Sequence, residues 1–177
     1  MSGSVGDNTA RASGVIASAG GGGKILQVVC TSVTDTSSTA SLSFVDFGLS
    51  QAITPTAAGS KILVCPSIYI YSGGQGISKV VRDIAGGGYG DITGMIGDQR
   101  GSARKRSLFG GNPATYGPGS CTFLDSPSYS LTDEITYKVQ YMTENTITAY
   151  RNYRGGDSDQ AYYTTNASIL TLIEVAA

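Results

Sequence analysis

A chain of 177 residues with a formal net charge of −1 is one domain's worth of sequence, long enough to bury a core. Its overall charge exerts no pull on nucleic acid or on an acidic membrane. Only 14% of the residues are charged, while 25 glycines and 11 tyrosines accompany abundant serine and threonine; that profile favours many short strands joined by turns and argues against a helical protein. The absence of histidine removes Ser-His and Cys-His nucleophile pairs and the usual zinc sites. No apolar run approaches the roughly 20 residues that span a bilayer.

Residues 1–23 carry few large apolar side chains and end in four consecutive glycines at 20–23, so they cannot bury enough surface to order themselves. They read as an extended Gly/Ser-rich docking arm ahead of a β-sandwich domain over residues 24–177, and they lack the basic-then-hydrophobic order of a secretory leader. Within the arm, Val5, Val15 and Ile16 are small apolar anchors, Asp7, Asn8 and Arg11 supply hydrogen bonds and charge, and the glycines let the main chain lie against another chain. The run up to Lys24 resembles the end of a phosphate-binding loop, but Ser18 and Ile25 stand where that motif needs Gly and Ser or Thr.

Residues 24–31 (KILQVVCT) and 41–47 (SLSFVDF) read as the first two strands, with a turn over 35–39 and a further short strand around Ala52 and Ile53. Residues 60–71 (SKILVCPSIYIY) are apolar on both faces, as in a central strand, yet Pro66 cannot donate to a ladder and predicts a bulge or an edge there. A strand over 77–85 precedes a glycine-rich excursion through 86–101, and 104–109 forms a short strand before the loop 110–119. The strongest signal spans 120–143: residues 121–124 form a short apolar strand and residues 125–133 a loop rich in Asp, Ser and Pro. From Ile135 the chain alternates, with Ile135, Tyr137, Val139 and Tyr141 on one face and Thr136, Lys138, Gln140 and Met142 on the other. A tight turn at Glu144 and Asn145 is expected to return residues 146–153 alongside this strand, residues 160–164 form a further short strand, and residues 168–175 (SILTLIEV) close the fold. The expected fold is all-β, an antiparallel, jelly-roll-like sandwich with an extended N-terminal arm.

Cys30, Cys65 and Cys121 each fall in an apolar strand-like run, so they are expected as buried free thiols of a chain made in a reducing cytoplasm, with a single disulfide as the alternative. Asp91 and Asp98 could serve as a glycosidase carboxylate pair, but both flank glycines, where Asp is ordinary turn chemistry. Asp157 and Asp159 could offer oxygens to calcium, though the same turn chemistry explains them. No metal, cofactor or catalytic set is assigned. Arg100, Arg104, Lys105 and Arg106 hold a third of the 12 Lys and Arg residues, a basic cluster able to meet anionic sugars, phosphate or the acids of a neighbouring subunit. Tyr89 and Tyr116, in loops, suit saccharide stacking or protein contact, whereas core packing is the default for the tyrosines of the strands.

The arm SGSVGDNTARASGVIASAGG, the SKILV strand, the LDSP turn followed by TYKVQY, and the terminal ASILTLIEVAA resemble a family of structural and tail-fibre-type proteins of marine tailed bacteriophages. The resemblance covers both ends and the framework strands, about two thirds of the chain, and fails over the loops of residues 73–119. It implies a virion location and no enzymatic residues. Together with the threefold symmetry common in such appendages, it implies a homotrimer that attaches through its arm and displays its loops to a host-surface polysaccharide or protein. A capsid decoration protein that uses the arm to clasp the shell, and a cell-surface carbohydrate-binding module, are the alternatives.

Overall fold

A computed structural model of the chain describes residues 23–111, 118–144, 147–156, 158–159, 161 and 163–177. The arm predicted over residues 1–23 lies, but for Gly23, outside the described residues. Twelve strands are found among the described residues: β1 (Ile25–Val33), β2 (Ser37–Thr39), β3 (Val45–Ile53), β4 (Lys61–Ser72), β5 (Gly76–Ile84), β6 (Gly90–Asp91), β7 (Phe109–Gly111), β8 (Pro118–Ser120), β9 (Phe123–Asp125), β10 (Ile135–Thr143), β11 (Ala149–Arg151) and β12 (Ser168–Val175). A single 3-10 turn at Thr93–Met95 is the only helical element among them.

The strands form two antiparallel sheets. The first runs β1-β12-β4-β11-β2, with β8 and β9 also on β4; the second runs β3-β10-β5-β6, with β7 also on β5. The order β1-β12-β4-β9 in one layer faces β3-β10-β5-β6 in the other, the strand arrangement of a jelly roll. The alternation read in β10 holds: Ile135, Tyr137, Val139 and Tyr141 are buried. They meet Leu170 and Leu172 of β12, Ile62 and Val64 of β4, and Phe47 and Leu49 of β3 in one core. Each such side chain contributes about 1.5–3 kcal/mol through burial.

Several expectations fail for identifiable reasons. Residues 146–153 do not return alongside β10, because β10 has both edges occupied, by β3 and by β5. Ala149–Arg151 crosses instead to the first sheet, pairing with β4 on one side and β2 on the other. That β2 partner lies within the predicted turn over 35–39. The two strands expected over 41–53 are one bulged strand: Gly48 takes a φ of 83°, its N–H is held by Asp46 Oδ1 at 2.7 Å, and the register against β10 shifts between Lys138 and Gln140. A residue in the left-handed region is one of the ways a bulge absorbs its extra position, and glycine takes it without strain.

Pro66 neither places β4 at an edge nor interrupts its pairing with β12, which runs unbroken from Lys61 to Ser67. The irregularity falls on the neighbour across the other edge. There β9 pairs with residues 62–64 and β8 with residues 67–69, leaving a gap where Cys121 N–H donates to Pro66 O at 3.3 Å. A strand residue directs its N–H and C=O to the same edge, so the donor that proline lacks faces that gap. The strand expected over 104–109 begins only at Phe109.

The thiols are not buried. Cys30 is exposed, and Cys65 and Cys121 are half-buried, because strand alternation turns Cys30 and Cys65 to the outward face of the first sheet, where both stand opposite Thr171. Burial, with Cys65 nearby, raises the Cys121 thiol above its ordinary pKa.

Two buried acids hold separate parts of the sandwich together. Asp125 at the end of β9 accepts from the Tyr137 hydroxyl at 2.7 Å and pairs with Arg82 of β5, joining the two sheets. Glu174 of β12 is fully buried and accepts from Gln27 Nε2 at 2.7 Å, Thr56 N–H at 2.9 Å, Thr56 Oγ1 at 3.0 Å and Ala57 N–H at 3.2 Å. Burial pushes its carboxyl upward, but the hydrogen bonds from Gln27 and Thr56 prevail and hold it below the ordinary range.

Candidate functional site

The residues singled out from sequence do not converge on one site. Tyr89, in the turn between β5 and β6, is exposed and lies against Lys138, whose Nζ sits 4.2 Å from the ring centroid. Arg100, Arg104 and Lys105 are exposed, while Arg106 is half-buried and its Nε donates to Gly97 O at 2.8 Å. Gln99 Nε2 donates to Arg104 O at 3.1 Å, so this loop is folded on itself and Arg106 helps to hold it. Asp91 is paired with Lys79 at 2.6 Å, and Asp98 is exposed. Tyr116, Asp157 and the arm residues Val5, Asp7, Asn8, Arg11, Val15 and Ile16 lie outside the described residues. Among the described residues no group of three or more acids and cysteines is placed to hold a metal ion.

The structure assembles a different cluster, at the end of the sandwich where β11 leaves the first sheet. The Arg154 guanidinium carbon lies 5.9 Å from the centroid of the Tyr71 ring and 5.3 Å from that of Tyr163. Tyr71 faces Tyr150 at 6.1 Å with planes tilted by 33°, and Tyr150 meets Tyr153 edge-on at 5.2 Å. Gly155 lets this layer close: a side chain there would strike the Tyr150 ring. Beside the cluster is a cleft of about 250 Å³ whose lining includes Tyr153, Arg154, Tyr163, Thr36, Ser158 and Asp159.

The cleft is positioned by Asn152, which is fully buried with a φ of 64°. Asparagine tolerates this left-handed conformation better than most residues. Its Nδ2 donates to Val33 O at 2.8 Å and Asp35 O at 3.0 Å, and its Oδ1 accepts from Ser168 Oγ at 2.7 Å. Its N–H donates to Tyr69 O at 3.2 Å, and its carbonyl accepts from Asn166 N–H at 2.7 Å. The turn at Asn152 separates two arginines. Arg151 points inward, donating to Phe47 O and, at 2.7 Å, to Asp35 Oδ2, whereas Arg154 joins the cleft.

Ring faces, hydroxyls, a guanidinium and a carboxylate around one small cleft are suited to a sugar, which offers apolar C–H faces for stacking and hydroxyls for hydrogen bonding. The volume is under the roughly 300 Å³ where clefts for drug-sized ligands begin, so one sugar ring is the scale of group it accommodates. Arginine can also fork onto a sugar carboxylate. The sequence signal is the repeat YRNYR at residues 150–154, whose significance depends on Tyr71 and Tyr163 arriving from elsewhere in the chain. No protein-family model matches the chain, and no curated protein matches it.

Proposed function

We propose that the chain is a non-enzymatic bacteriophage virion protein of the tail-fibre or spike type, anchored by residues 1–23 and presenting its loops to saccharide on the host surface. The observation that carries the adsorption role is the cleft of Tyr153, Arg154 and Tyr163, fixed to a rigid sandwich through Asn152. Binding residues on loops held by a rigid scaffold are a recurrent arrangement, and jelly rolls serve both capsid and lectin domains. The fold is an analogy, and the site carries the functional argument. The virion location rests on the sequence resemblance, and the homotrimer on the architecture of phage appendages.

The test is a binding screen of the purified chain against host-surface polysaccharide, with Arg154→Ala and Tyr163→Ala beside it. The reading expects the wild type to bind and to compete with phage adsorption, and both variants to lose at least tenfold in affinity while keeping the wild-type unfolding midpoint. Binding that is indifferent to both substitutions would remove the cleft from adsorption.

A further inference from the structure

Four cations of the sandwich are matched to acids: Lys79 pairs with Asp91 at 2.6 Å, Lys138 with Asp46 at 3.0 Å, Arg151 with Asp35 at 2.7 Å, and Arg82 with Asp125. The segment between β6 and β7 is built differently. Its residues 97–107 carry Arg100, Arg104, Lys105 and Arg106 against a single acid, Asp98, on a chain whose formal net charge is −1. Among the described residues no ion pair involves any of these four cations, and Arg100, Arg104 and Lys105 are exposed. The loop that carries them is pinned by its own hydrogen bonds. At its base Gly97 N–H donates to Ser107 O at 3.3 Å and Arg106 Nε donates to Gly97 O at 2.8 Å. Within it Gln99 Nε2 donates to both Gly101 O and Arg104 O, which draws the two ends of the tip toward one side-chain nitrogen. These bonds hold like charges together against their mutual repulsion, and an anion bound across them relieves it.

We infer that this loop is a second contact for the host surface and that its ligand is an acidic polysaccharide, whose sulfate or carboxylate groups are received by Arg100, Arg104 and Lys105. Arginine forks onto such oxoanions, and lysine meets them as a point charge. The make-up of the loop selects the partner. Residues 97–107 hold no aromatic side chain, so they lack the stacking platform on which single-stranded nucleic acid is bound. They hold no large apolar side chain either, and so offer no anchor of the kind that dominates a protein–protein contact. Gly101, Ser102 and Ala103 separate Arg100 from Arg104 with little bulk, which leaves charge as the chemistry on offer. A polymer that repeats its anions engages several such weak contacts at once and is held more tightly than any one of them would hold it. The inference rests on the saccharide reading above and deepens it, but it uses residues none of which lines the cleft.

The experiment measures binding of the full chain to dextran sulfate, polygalacturonate, neutral dextran and duplex DNA at about 0.15 M salt, where exposed charges are screened beyond about 8 Å. The wild type is compared with the triple variant Arg100→Ala, Arg104→Ala, Lys105→Ala and with Arg154→Ala. The expected result is a wild type that binds dextran sulfate or polygalacturonate more tightly than neutral dextran or DNA, the stronger of the two naming the acidic group. The triple variant is expected to lose at least tenfold in that affinity with an unchanged unfolding midpoint, since exposed positions contribute little to stability. No binding to either acidic polymer, or binding to DNA that is as tight, overturns the proposal. An affinity that the triple variant keeps and Arg154→Ala loses overturns the loop and leaves the cleft standing, whereas the reverse supports the loop and removes the cleft from this ligand. Should the triple variant unfold, hydrogen exchange at residues 97–107 of the wild type decides without substitution. Exchange there is expected to slow at least threefold when the acidic polymer is added, and an unchanged rate overturns the proposal.

Discussion

The Tyr137 hydroxyl donates a 2.7 Å hydrogen bond to Asp125 Oδ2, the same oxygen that receives Arg82, so a single carboxylate fastens β9 of one sheet to β10 and β5 of the other. Tyr137→Phe is expected to cost about 1.5–3 kcal/mol, the range for a hydrogen bond to a charged group. Arg82→Ala is expected to cost more, about 3–5 kcal/mol, because it strands a buried carboxylate. Urea unfolding of both variants measures this.

The same network sets an alkaline limit. Burial and then the Asp125 charge raise the Tyr137 pKa well above its ordinary value, so the unfolded chain ionises this tyrosine first. The stability tied to the neutral hydroxyl is complete below about pH 10, the unfolded value, and is lost as pH climbs above it. The gap in unfolding midpoint between wild type and Tyr137→Phe is therefore expected to narrow above that pH.

Glu174 gives the acid counterpart. Its folded pKa lies below the ordinary value, so its contribution is present above about pH 4.3 and is lost as pH falls through the folded value. Glu174→Ala is expected to destabilise by about 1–3 kcal/mol for each backbone donor left unpaired at Thr56 and Ala57, and to flatten the pH dependence of the unfolding midpoint in the acid range.

Asn152, buried beneath the cleft, is expected to be harder to replace than the residues that line it. Asn152→Gly keeps the left-handed backbone but removes three side-chain hydrogen bonds, at about 1–3 kcal/mol, and Asn152→Ala adds roughly 1 kcal/mol of backbone strain. Both variants should weaken saccharide binding along with the unfolding midpoint, separating them from Arg154→Ala, which should weaken binding alone.

Replacing Arg104 and Lys105 by Ala should shift stability by no more than about 0.5 kcal/mol, since both are exposed. Adding Arg106→Ala releases Gly97 O and should loosen the loop, read as faster hydrogen exchange. If this loop also engages an anionic receptor, adsorption falls in the double variant and weakens with salt in the wild type; unchanged adsorption restricts the binding surface to the cleft.

Much of the framework was legible because period-2 alternation is a local property: β10 and β12 could be read from their own residues. The placement of β11 was not, since it depends on β3 and β5 having already filled both edges of β10. The thiols were misread because an apolar run does not reveal which of its alternate faces is covered, and the outward face of the first sheet is itself apolar. The cleft was invisible for a related reason. Arg154 gains its setting from Tyr71 and Tyr163, which lie on separate segments of the chain and meet only through the β4–β11 pairing and the Asn152 turn.

If the chain is the phage protein proposed above, electron microscopy of phage particles decorated with a Fab raised against the β-sandwich domain separates tail from capsid. The expected result is Fab density on the tail, lost from particles whose chain lacks residues 2–20 while the truncated domain remains folded and soluble. Virions that carry no Fab, or that carry it over the capsid shell, would contradict it.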